Sequence, residues 1–135
     1  MPLFLKTCDK YGIQYQDKLA QLARIEIVNT LPISQYNTTL GMLKRNQQNE
    51  VVGIEINWMA QIDPTILKIV SFHEFAHYFL EYEGHPCDDC LHIMGARNTN
   101  YFEIAQQWEA KLNQLFNESP AFLNKHNSLI GMGSN

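Results

Sequence analysis

Residues 63–85 read DPTILKIVSFHEFAHYFLEYEGH, and their reading decides the fold. Asp63 is a favoured N-cap residue and Pro64 suits the first helical position, so a helix is expected to begin here. Nothing from Thr65 to Glu83 breaks it, and Gly84 is a natural C-terminal stop. Ile66, Leu67, Ile69, Val70, Phe72, Phe75, Ala76, Phe79 and Leu80 leave it almost no polar face. A helix that is apolar nearly all round is buried, so the other elements must wrap it.

Set into this apolar rod are His73, Glu74 and His77, in the pattern H-E-x-x-H. At 3.6 residues per turn, positions i and i+4 share a face, so both imidazoles can reach one ion. Glu74 leaves from the adjoining flank, where it can act as a base on a water held by that ion. Zinc is the expected metal. The competing reading is a pair of hydrogen-bonded core histidines with an incidental glutamate.

Outward from the helix, the chain supports one domain. Its 135 residues, 45% hydrophobic and 18% charged, match a soluble globular protein with its own core. A net charge of −4 carries no nucleic-acid signal. No apolar run approaches a membrane span, and the stretch from Met1 to Lys6 is too short for a signal sequence. Three cysteines, an odd number, do not make a disulfide framework. A cytoplasmic location is therefore expected.

Gln14 to Ala23 reads as a short helix, and Arg24 to Asn29 alternates apolar with polar as a half-buried strand does. Thr38 to Arg45 and Val51 to Trp58 read as an antiparallel hairpin about the polar turn Asn46-Gln47-Gln48-Asn49. From Asn100 to Phe116 a last helix carries the apolar stripe Tyr101, Ile104, Ala105, Trp108, Leu112, Leu115 and Phe116. The expected fold is α+β: a short, mostly antiparallel sheet packed on the long helix, with a C-terminal helix completing the domain over residues 1–117. Residues 118–135 are expected to be a flexible or loosely docked tail.

A catalytic zinc takes three protein ligands, so a third must come from elsewhere. His85 is the first candidate. If the helix ran to Glu83, its end would lie about 9 Å beyond His77 and His85 could not return. For His85 to serve, the helix must end near Phe79–Leu80. His92 has enough loop to come back and is the next candidate. Glu103 and Glu109 of the last helix are the others, although the apolar stripe turns Glu103 toward solvent.

The order His73, His77, His85, Cys87, Cys90, Met94 resembles that of the archaemetzincins, a metzincin subfamily of zinc peptidases. The Gly84-His85 pair stands two residues later than in that family. The resemblance spans roughly Val51 to Leu115 and implies a zincin-like fold with a histidine as third ligand. It also implies a methionine, here Met94, beneath the metal; the bland role for Met94 is to fill a core gap. A glutamate ligand would instead resemble the minigluzincins.

Cys87 and Cys90 form a C-x-x-C between His85 and His92. They could pin the loop with a second, structural zinc, form a redox pair, or remain free thiols. Cys8 reads as a lone thiol.

These readings lead to a minimal soluble zinc metallopeptidase. It would hydrolyse peptide bonds in a peptide or protein substrate through a zinc-bound water, with Glu74 as general base and then acid. The strand from Val51 could bind substrate by strand addition, and Tyr82, Tyr101 or His126 could steady the oxyanion. The alternative is a zincin-fold, zinc-binding regulatory or interaction module with little or no peptidase activity. The oligomeric state is not written in the sequence.

Overall fold

The computed structural model describes residues 2–28, 41–57, 63–88, 90–96 and 100–125. In chain order they form helices α1 (Pro2–Lys10) and α2 (Gln16–Gln21) and strands β1 (Arg24–Val28), β2 (Gly41–Arg45) and β3 (Val51–Asn57). The long helix α3 (Pro64–Phe79) follows, then α4 (Tyr101–Gln106) and α5 (Trp108–Asn117). Residues 120–125 are also helical. The fold is α+β, with α3 packed on a mixed sheet of three strands in the order β1-β3-β2.

The hairpin expected from sequence is present. β2 pairs antiparallel with β3, and the turn between them is tied by the Asn46 carboxamide, whose Oδ1 accepts from the Gln48 and Glu50 amides at 2.9 Å each. β1 pairs with β3 in parallel, so the sheet is mixed rather than mostly antiparallel. That ladder makes β3 the central strand. Its burial follows: Val51, Ile54, Ile56 and Asn57 are all buried.

Asp63 caps α3 as its residue type dictates, its side chain accepting from the Thr65 amide at 2.8 Å. The helix stops at Phe79, four residues short of the Glu83 that its sequence allows. Glu81 takes the left-handed conformation, with φ of +66°, and the Tyr82 amide reaches back to the Ala76 carbonyl at 3.3 Å. A left-handed residue just past the last turn is a standard helix terminator, normally supplied by glycine. Here the terminator is a glutamate, which is why Gly84 was the expected stop.

Helix α1, for which no element was assigned from sequence, supplies the centre of the core. Phe4 of α1 is fully buried against Phe72, Phe75, Phe79 and Phe116, with ring centroids 5.2, 5.4, 5.8 and 5.4 Å away. The four-residue spacing of Phe4 and Cys8, both buried, was the available signal. The C-terminal helix expected as one piece is broken at Gln107 into α4 and α5. The start of the expected tail is docked. Ser119 is buried, the Ala121 amide bonds the Leu80 carbonyl, and Phe122 packs edge-on against Tyr11. Residues 126–135, with His126, lie outside the described residues, as do Trp58 and the Thr38–Leu40 start of the second strand.

Candidate metal centre

α3 carries two opposed faces. Phe72, Phe75 and Phe79 point into the aromatic core, while His73 and His77 emerge on the other side. The early stop at Phe79 lets the chain reverse through Glu81 and bring His85 back over that second face. The condition for His85 to serve is therefore met. The Nε2 atoms of His77 and His85 lie 3.2 and 3.3 Å from Nε2 of His73. One ligand atom from each of the three falls within 4.8 Å of the others, and this is the group among the described residues that could hold a metal ion.

What fixes the imidazoles is at their other nitrogens. His73 Nδ1 is 2.8 Å from the Ile93 carbonyl oxygen, and His77 Nδ1 is 2.8 Å from that of Tyr82. A carbonyl oxygen can only accept, so each Nδ1 carries the proton and donates it. Both Nε2 atoms are then lone pairs turned toward one point. Anchoring of this kind is how metal-binding histidines are normally oriented.

Both carbonyls are themselves held. The Tyr82 hydroxyl is buried and donates to the Leu115 carbonyl at 2.7 Å. Ile93 sits in a turn closed by bonds from the Ala96 amide to the Cys87 carbonyl and from the Met94 amide to His92 Nδ1.

Burial drives the electrostatics. It pushes His73 down to about 4, helped by the nearby His77 and His85 and opposed by the Ile93 carbonyl. Burial also lowers His77. Both rings are thus neutral at pH 7 and free to ligate. Two lone-pair nitrogens 3.2 Å apart with no proton between them repel one another unless a cation lies between. A tetrahedral ion with Zn–N bonds of about 2.0–2.1 Å sets ligand nitrogens about 3.3–3.4 Å apart. The spacings about His73 fit.

Glu74 leaves α3 beside the histidines, its Oε2 3.9 Å from His73 Nε2. It is 6% exposed, and burial raises its carboxyl to about 7. Tyr101, at the start of α4, is close enough for the Glu74 charge to raise its hydroxyl further than burial alone does. Gly41 of β2 lies directly against the Glu74 side chain, and sequence reasoning missed it.

The other candidates are elsewhere. His92 is buried, with Nδ1 accepting from Met94 and Nε2 3.8 Å from Glu118, and it is not in the group. Glu103 and Glu109 are exposed and also outside it. Cys87 and Cys90 are joined as a disulfide, which corrects the second, structural zinc: thiols consumed in a covalent bond are not thiolate ligands. Met94 is fully buried beside Ile93, as either of its readings requires.

Tyr82 spends its hydroxyl on Leu115, which removes it as an oxyanion donor. Strand β3 is flanked by β1 and β2, so it is not an edge open to a peptide. Comparison with protein-family models, curated proteins and solved structures finds no match to this chain.

Proposed function

We propose that the protein is a small zinc-dependent metallopeptidase in which His73, His77 and His85 hold the ion and Glu74 carries the proton. The observation that carries this reading is the convergence of Nε2 lone pairs whose opposite nitrogens are tied to Ile93 and Tyr82. When bound, a zinc ion at these nitrogens supplies a Lewis acid that acidifies water and polarises a carbonyl.

The chain's own residues supply the rest. Glu74, buried beside His73, takes a proton from attacking water and returns it to the leaving amine. Tyr101, whose hydroxyl feels the Glu74 charge, is the proposed donor to the developing oxyanion. Among the described residues β2 has one partner, β3, and its backbone passes against Glu74. A substrate adding to that edge would present its backbone beside the proton carrier.

A cytoplasmic setting belongs to this proposal; the Cys87–Cys90 bond is the feature that speaks against it. No helix among the described residues is long and apolar enough to cross a membrane.

The test is a metal and activity titration with a quenched-fluorescence peptide library. The zinc-loaded protein should bind one ion and cleave, and Glu74→Gln should keep the ion while losing roughly 10²–10⁴-fold in rate. Full zinc occupancy without cleavage by the unaltered protein would replace the peptidase with a zinc-holding regulatory module. Failure to take up zinc would remove both.

A further inference from the structure

We infer that Gly41 is a positioning residue for Glu74: the missing side chain at this point of β2 is the space in which the carboxylate side chain lies. A Cβ at Gly41 would sit 2.6 Å from Glu74 Cγ, 2.9 Å from Cδ and 3.0 Å from Oε2, and these are its three nearest neighbours. Carbon atoms do not pack that closely. Glycine is not here for its backbone freedom, since the described residues with left-handed φ are Gly12, Asn49 and Glu81.

Nor does the strand favour glycine. Gly41 pairs with the buried Ile56, and Leu43, two residues on and facing the same way, packs on the core. A side chain would ordinarily fill such a position, and glycine there weakens a strand by roughly 2- to 5-fold in folding equilibrium relative to alanine. Gly41 is the first described residue of β2, and a close approach by another group is one of the reasons a strand carries glycine. The approaching group is Glu74.

The contact reaches Cγ, near the root of the side chain, so a methyl group cannot be avoided by swinging the carboxylate tip alone. Relief requires another χ1 rotamer or a shift of α3 away from β2. Either moves the carboxylate from its place 3.9 Å from His73 Nε2. Gly41 therefore acts through Glu74 and needs no contact with substrate. Its catalytic consequence rests on the reading of Glu74 as proton carrier; the contact itself does not.

The test is a double-mutant cycle on the metal-free protein, with Gly41→Ala made in the natural and in the Glu74→Ala background and unfolding followed in urea. With Glu74 present, Gly41→Ala should lower the folding equilibrium constant by about 5- to 150-fold, the range for overpacking. With Glu74 truncated, the same change should be neutral or raise it by about 2- to 5-fold, because the methyl enters vacated space and relieves the glycine. Folding of the double variant alone, with the single variant unfolded, supports the inference equally.

An equal loss in both backgrounds overturns it. In zinc-loaded protein, Gly41→Ala should keep the ion and KM while kcat falls at least 10-fold, a split that general destabilisation does not produce. Loss of KM and kcat together, or an unchanged kcat, overturns the positioning role. An intact cycle in a protein that cleaves nothing overturns the peptidase reading and leaves the contact established.

Discussion

Removing the charge of Glu74 should stabilise the metal-free protein above neutral pH. Burial lifts this carboxyl from 4.5 to about 7. Between those values the folded state binds more protons than the unfolded state, so the group's contribution declines as pH rises. At 1.36 kcal/mol per pKa unit, the charged form costs about 3 kcal/mol by pH 8.

His73 has the opposite sign. Burial lowers it from 6.5 to about 4, so the unfolded state binds more protons in that window and stability rises with pH by about 3 kcal/mol. The two slopes overlap from pH 4.5 to 6.5 and largely cancel. His77 and His92, also lowered by burial, add to the slope of His73.

Glu74→Gln keeps the shape and removes one slope. The variant should match the natural protein near pH 4.5, rise steadily to pH 6.5, and exceed it by about 3 kcal/mol at pH 8. Urea denaturation in the presence of a chelator, at pH 4.5, 6 and 8, measures this directly. Saturating zinc should shrink the difference, because a nearby cation stabilises the carboxylate. Parallel pH profiles for the two proteins, or no advantage at pH 8, would refute the reasoning.

Three further outcomes are expected. His85→Ala should weaken zinc binding while leaving metal-free stability within about 0.5 kcal/mol, because His85 is exposed and its proposed role is that of a ligand; isothermal titration and urea denaturation read the two effects. Reducing the Cys87–Cys90 bond should cost about 2 kcal/mol, the loop-entropy figure for so short a ring. It should also lower zinc affinity, since the bridged loop joins His85 to the Ile93 carbonyl that orients His73, and titration with and without reductant measures the change. Phe4→Ala should destabilise by about 3–5 kcal/mol, through loss of the side chain that fills the space between α3 and Phe116; calorimetry would show it as a lowered Tm.

His73, Glu74 and His77 were legible because helical periodicity places side chains without reference to the rest of the molecule. The same holds for Asp63 and Pro64, whose capping roles are local, and for the Asn46 turn. His85 was legible only as the first of several candidates for a third ligand. His85 returns only because Glu81 adopts a left-handed backbone that its residue type does not advertise.

Glu81 there is supported by contacts from distant sequence. Lys18 Nζ bonds the Tyr78 carbonyl at 2.8 Å and lies 3.4 Å from the Glu81 carboxylate. The parallel pairing of β1 with β3 likewise depends on a non-local ladder, and among the described residues it makes β1 and β2, not β3, the outer strands. Gly41 looked like any strand glycine until α3 was laid across it.

By itself the sequence determined a buried helix with two imidazoles and a carboxylate on neighbouring flanks, because spacing along a helix is a local property of the chain. The tertiary structure alone decided where that helix ends, which histidine joins the pair, which carbonyls orient the rings and which strand abuts Glu74. Each of those depends on groups far apart in sequence meeting in space, and no pattern within a short window encodes such a meeting.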